Sequence, residues 1–153
     1  MFPANSRAAL NAYRSVGVEC VVDSASPHQL VIMLFEGARI AIAKARVHMQ
    51  LGETAAKGEA ILKAVCIIDQ GLKACLDTQH GGELAVRLQA LYDYMVSRIT
   101  LANLRNDPQP LDEVGRLLGE LEEAWRQIGH GNATPPTTHE PQAQSAALVY
   151  SKV

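Results

Sequence analysis

The sequence predicts an all-α fold, an antiparallel four-helix bundle with a short N-terminal helical cap and a disordered C-terminal tail, and three observations carry that prediction. Hydrophobic residues make up 48% of the 153 positions but aromatics only 5%, so the apolar content is mostly Ala, Leu, Val and Ile, which suits helix packing better than a β-sandwich. Apolar residues recur at three- and four-residue spacing along four long stretches, and no strand-period segment competes with them. Glycine and proline fall between those stretches, where helices stop and start. A chain of this length buries enough surface for one core, so one domain is expected.

The first helix has the clearest start. Ser26 stands as N-cap, Pro27 at the first helical position and Gln29 completes a capping box. This helix extends to about Gln50, where Leu51-Gly52 ends it. A second spans roughly Glu53 to Gln79 before Gly81-Gly82, and a third runs from about Glu83 to before Pro108. Pro108 and Pro110 punctuate the next turn, and a fourth helix follows from about Leu111 to Ile128, closed by Gly129 and Gly131. Short connections force neighbouring helices to reverse direction, which gives the up-down-up-down order. Ahead of the bundle, Ser6 to Val16 forms a short helix with Leu10, Tyr13 and Val16 on one side, and Gly17 to Asp23 is a connector. The expected organisation is therefore a cap and connector over 1–25, a bundle over 26–131, and a Pro-, Thr- and Gln-rich mobile tail over 132–153.

Charge and cysteine usage narrow the function. Fourteen basic residues against sixteen acidic leave a net charge of −2, with no basic excess to meet nucleic-acid phosphates or an anionic membrane. Cys20, Cys66 and Cys75 contain no CxxC pair, and Cys66 and Cys75 would sit about 13 Å apart on one helix, beyond disulfide reach. Reduced thiols, no secretion signal at Met1 to Arg7 and no apolar run of membrane-span length predict a soluble cytoplasmic protein.

Chemistry is sought and not found. The nearest approach to a bundle di-metal motif is Asp77-Thr78-Gln79-His80, which occurs once, at a helix end. Cys66 and Cys75 lie in apolar surroundings that raise a thiol's pKa rather than activate it. No phosphate loop, nucleophile elbow or zinc-protease helix is present. Glu120, Glu122 and Glu123 read as a solvated face of the fourth helix. No metal, no cofactor and no catalytic residue are expected.

What remains is surplus apolar surface. On a wheel at about 100° per residue, the fourth helix separates simply, with Leu111, Val114, Leu117, Leu118, Leu121, Trp125 and Ile128 on one side. The first helix has a core stripe through Leu30, Leu34, Ala38, Ala41, Ala45 and Met49, and a distinct second row of Met33, Ile40 and Val47. The second has Ile61, Val65, Ile68, Leu72 and Leu76 as core and Ala60, Ile67 and Ala74 as a second row. The third centres on Leu84, Leu88, Leu91, Met95, Ile99 and Ala102, with Ala90, Tyr94, Leu101 and Leu104 extra. Such rows either widen the core, face Leu10 and Tyr13 of the cap, or form a groove that admits partner helices. Taken together they favour the groove, and on that expectation Ile67 lies outside the core while Leu88 lies in it.

The residues resemble the flagellin-specific export chaperone family, FliS. The resemblance runs from about Tyr13 to Trp125 through Ala25-Ser26-Pro27-His28-Gln29-Leu30, Met33-Leu34-Phe35-Glu36-Gly37, Ile67-Ile68 with Leu72 and Leu76-Asp77, Leu91-Tyr92-Asp93-Tyr94-Met95 and Ala102-Asn103-Leu104-Arg105-Asn106-Asp107. Glu36 replaces the family's usual Asp, and the tail after Ile128 has no counterpart. The resemblance implies a non-enzymatic cytosolic chaperone, monomeric or weakly dimeric, whose client is the disordered C-terminal segment of flagellin wrapped around the bundle as helices. It further implies delivery to the flagellar type III export gate, and Tyr13, Leu30, Tyr92, Tyr94 and Asn103 as matched family positions. Tyr92 and Asn103 also fit structural roles. The alternative from a different class is a four-helix structural module whose second rows form a homodimer seam.

Overall fold

A computed structural model describes residues 25–130 and Tyr150. Four α-helices follow one another among them: α1 (Pro27–Gln50), α2 (Thr54–Cys66), α3 (Gly82–Arg105) and α4 (Gln109–His130). A π-helical segment, Ile67–Lys73, continues α2. Leu10, Tyr13, the connector, Cys20 and all of the tail except Tyr150 lie outside the described residues.

Local chemistry sets the helix limits. Ser26 is extended and its side chain accepts from the Gln29 backbone N–H at 3.2 Å, with Pro27 opening α1. At the other end Gly52 takes φ +71, which lets its N–H reach Met49 O and the Glu53 N–H reach His48 O, so the last carbonyls of α1 are satisfied. The α2 ridge stops short of the expected Gln79. Buried Asp77 turns its carboxylate back to the N–H groups of Gln79 and His80, at 3.2 and 3.1 Å, and this local turn competes with helical bonding. The same carboxylate meets His80 Nδ1 at 3.0 Å. At the start of α4 the proline punctuation gives way to helix two residues earlier than expected. Asp107 caps the Gln109 N–H at 3.0 Å and Pro108 O already accepts from Asp112, and proline is tolerated in a first turn whose N–H groups need no helical partner.

The helices form a square. α1 packs on α2 and α4, and α3 packs on α4 and on α2 with its π segment, which puts α1 and α3 at opposite corners. Polar pairs confirm the antiparallel order. Along α1 and α4, Glu36 meets Arg126, Arg39 meets Glu122 at 2.7 Å, and Arg46 meets Asp112, so rising numbers on one helix match falling numbers on the other. Between α2 and α3, Lys57 reaches Asn103 O and Asn106 Oδ1 at 3.3 and 3.1 Å, while Lys73 meets Asp93 at 2.8 Å. Lys57 is buried, and its ammonium lies at the negative end of α3, where it satisfies a terminal carbonyl. Asn106, left-handed at φ 52, ends that helix.

Glu122 corrects the expectation of a solvated acidic face. It is buried and accepts from both Arg39 and Arg126, because α4 turns this edge toward α1 rather than toward water. Cys66 and Cys75 form no disulfide with each other, and Cys75 is buried. Among the described residues no helix is long and apolar enough to cross a membrane, and no group of three His, Cys, Asp or Glu side chains is placed to hold a metal ion.

Candidate protein-binding surface

The second rows divide into buried and exposed members. Met33, Ala60 and Ile67 are buried, and so are Leu30 of the core stripe and Tyr92, the other two matched positions that lie inside. Met33 falls within a run from Leu30 to Phe35 that is buried all round. Ile67 is 0% exposed whereas Leu88 is only partly buried, the reverse of the sequence expectation.

The cause lies in α2 and its π continuation. The buried stripe is centred on small residues, Ala60, Ala64 and Gly71, and continues as the pairs Ile67-Ile68, Gly71-Leu72 and Cys75-Leu76. A wheel weighted by large side chains misplaces that centre. The wider π turn then keeps adjacent pairs on one side every four residues, which a constant 100° step does not reproduce.

The exposed members make two strips. On α1, Ile40 and Val47 are 57% and 51% exposed, and Leu51 continues the row at the helix end. Spacings of seven and four residues keep all three on one side. On α3, Val86, Ala90, Tyr94 and Leu104 are exposed and Leu101 is half-buried. Ala74 is exposed just past the π segment, and Leu62 is exposed on α2. Leu51, Val86 and Leu62 were missed from the sequence. Leu51 and Val86 were legible as the next positions, four residues on from Val47 and four back from Ala90.

Polar bonds hold the α3 strip in place. The Tyr94 hydroxyl donates to Glu113, whose other oxygen takes Arg98 Nε at 2.8 Å. The bond from Tyr94 together with Arg98 holds the Glu113 carboxyl below its ordinary range, and the same carboxylate raises the Tyr94 phenol. The aromatic ring is thereby fixed on the surface with its hydroxyl turned to α4. Asn103 has an exposed side chain, and its backbone oxygen is the one that Lys57 reaches.

These strips contain no catalytic constellation. They present exposed apolar side chains on α1 and α3, which hold opposite corners of the bundle.

Comparison with known proteins gives the chain a family. The family described as flagellar protein FliS matches residues 9–132. A flagellar secretion chaperone FliS of Salmonella typhimurium is 55% identical over 119 residues, covering 78% of this chain and 88% of the relative. That of Vibrio cholerae is 42% identical over 133 residues, covering 87% and 93%, and a FliSB chaperone of Pseudomonas aeruginosa is 42% identical over 122 residues, covering 80% and 96%. With its helical bundle, its exposed apolar rows and a match across most of its length, the chain belongs to the FliS family of flagellar secretion chaperones.

Proposed function

We propose that this chain binds the C-terminal segment of flagellin in the cytoplasm, keeps it from polymerising and passes it to the flagellar type III export apparatus. It does so as a chaperone without catalysis, working from the bundle over 26–131. The observation that carries this is the placement of the exposed rows. Ile40, Val47 and Leu51 lie on α1, whereas Val86, Ala90, Tyr94, Leu101 and Leu104 lie on α3, the diagonal helix.

A rigid partner meets one face at a time. A disordered segment that folds on binding can run over both corners, laying an apolar helical face on each. Ordering such a segment costs several kcal/mol of the interaction free energy, so a large buried surface still releases its client. Release is what export requires. A homodimer seam, by contrast, needs one self-complementary patch, and a dimer built on either strip leaves the other uncovered.

Co-purification with flagellin carrying and lacking its C-terminal segment tests the proposal. The intact client is expected to elute with the chaperone as a one-to-one complex and the truncated client to elute alone. Equal capture of both, or a chain that elutes as a stable dimer without client, contradicts it.

A further inference from the structure

Tyr150 lies beyond residue 132, where the family match ends, yet its side chain is only 6% exposed. It was expected to belong to a mobile tail. Instead it enters a slot between α3 and α4. Its hydroxyl is 2.7 Å from the hydroxyl of Tyr92, which is fully buried in the middle of α3. Its ring meets Trp125 of α4 edge-on, with centroids 4.9 Å apart and planes at 78°. Trp125 is itself fixed. His28 stacks on it at 5.1 Å, and the indole N–H donates to His28 O at 3.2 Å. Gly129 keeps that stack possible, since a Cβ there would stand 2.3 Å from His28 Nε2.

The slot selects for more than an apolar ring. Burial raises both phenols above their ordinary range, and the nearby Cys75 thiol acts in the same direction, so both hydroxyls stay protonated and neutral. A buried hydroxyl is costly without a hydrogen-bond partner, and here each tyrosine supplies the other's. A phenylalanine in place of Tyr150 would fill the volume and leave the Tyr92 hydroxyl without that bond.

We propose that the Tyr92–Trp125 slot is a tyrosine-specific docking site for this chain's own C-terminal extension, anchored through Tyr150. Docking is reversible, because the contacts of Tyr150 are one hydrogen bond and one ring contact, with no covalent bond.

The chain has one tryptophan, Trp125, so its emission reports the slot directly. In the full-length Tyr150→Ala variant, with unchanged far-ultraviolet circular dichroism, Trp125 emission is expected to shift to longer wavelength and quenching by acrylamide to rise about twofold. Adding a peptide of residues 141–153 to that variant restores the native spectrum, and the same peptide with Phe at position 150 needs about five- to tenfold more, or roughly 1–1.4 kcal/mol. Tyr92→Phe added to the Tyr150→Ala variant removes that preference between the two peptides while keeping its fold. Native emission from the Tyr150→Ala variant, or equal potency of the two peptides on it, overturns the proposal.

Discussion

Glu122 accepts hydrogen bonds from two arginines while almost out of water, with 7% of its side chain exposed against 48% and 37% for Arg39 and Arg126. Burial alone would raise its carboxyl. The bonds and charges of Arg39 and Arg126 more than reverse this and hold it below its ordinary value of 4.5. A carboxyl whose pKa is lower folded than unfolded stabilises the fold fully above the unfolded value, and that contribution disappears as pH falls through the folded one. Glu122→Gln is therefore expected to lose about 1–2 kcal/mol at neutral pH, since both arginines can rehydrate. Melting curves of the two proteins should converge as pH drops below about 4. A constant gap across that range contradicts the assignment. Ile67 makes the complementary case in apolar terms. Ile67→Ala should cost about 2–4 kcal/mol by leaving a cavity in a fully buried site, whereas Leu62→Ala, at an exposed position, should stay within about 0.5 kcal/mol. Chemical denaturation separates them, and equal effects would show that the buried stripe of the π segment is misplaced.

Helix ends were legible where a side chain announces them, and helix winding was not. Ser26, Pro27 and Gln29 fix the start of α1 through bonds made within one turn, so the sequence alone identifies them. Ser26→Ala should cost about 1 kcal/mol, a loss of roughly 2–4 °C in melting temperature for a chain of this size. No loss by calorimetry would mean that the cap bond contributes nothing. The π segment has no such local marker. Its winding follows from packing of Ala64, Ile67, Ile68, Gly71 and Leu72 against neighbouring helices, and a wheel with a constant step therefore placed Ile67 outside. Pro110 misled in the other direction, because a first-turn proline and a loop proline look alike until the Asp107 cap is seen. For the candidate surface the outcome is mixed. Ile40, Val47, Tyr94 and Leu104 were found because exposure on a regular α-helix follows from spacing. Met33, Ala60 and Tyr92 were drawn in by neighbours that the sequence does not order in space. Glu122 was misread because its partners lie 83 residues back and four ahead, and only the nearer is visible on a wheel.

At the scale of the whole molecule, the proposed function has one wrapping client cover two apolar strips at opposite corners together. If the strips are engaged in series by a single segment, loss of either one removes a large part of the binding free energy while the bundle stays intact, since both strips lie outside the core. Isothermal titration of a flagellin C-terminal fragment into three proteins measures this most directly: the native chain, Ile40→Asp with Val47→Asp on α1, and Leu104→Asp on α3. At least a tenfold loss of affinity is expected for each variant, about 1.4 kcal/mol or more, with native helicity and a melting temperature within about 2 °C. Undiminished affinity in either variant, with its fold intact, would show that the client does not span both corners and would contradict the wrapped arrangement.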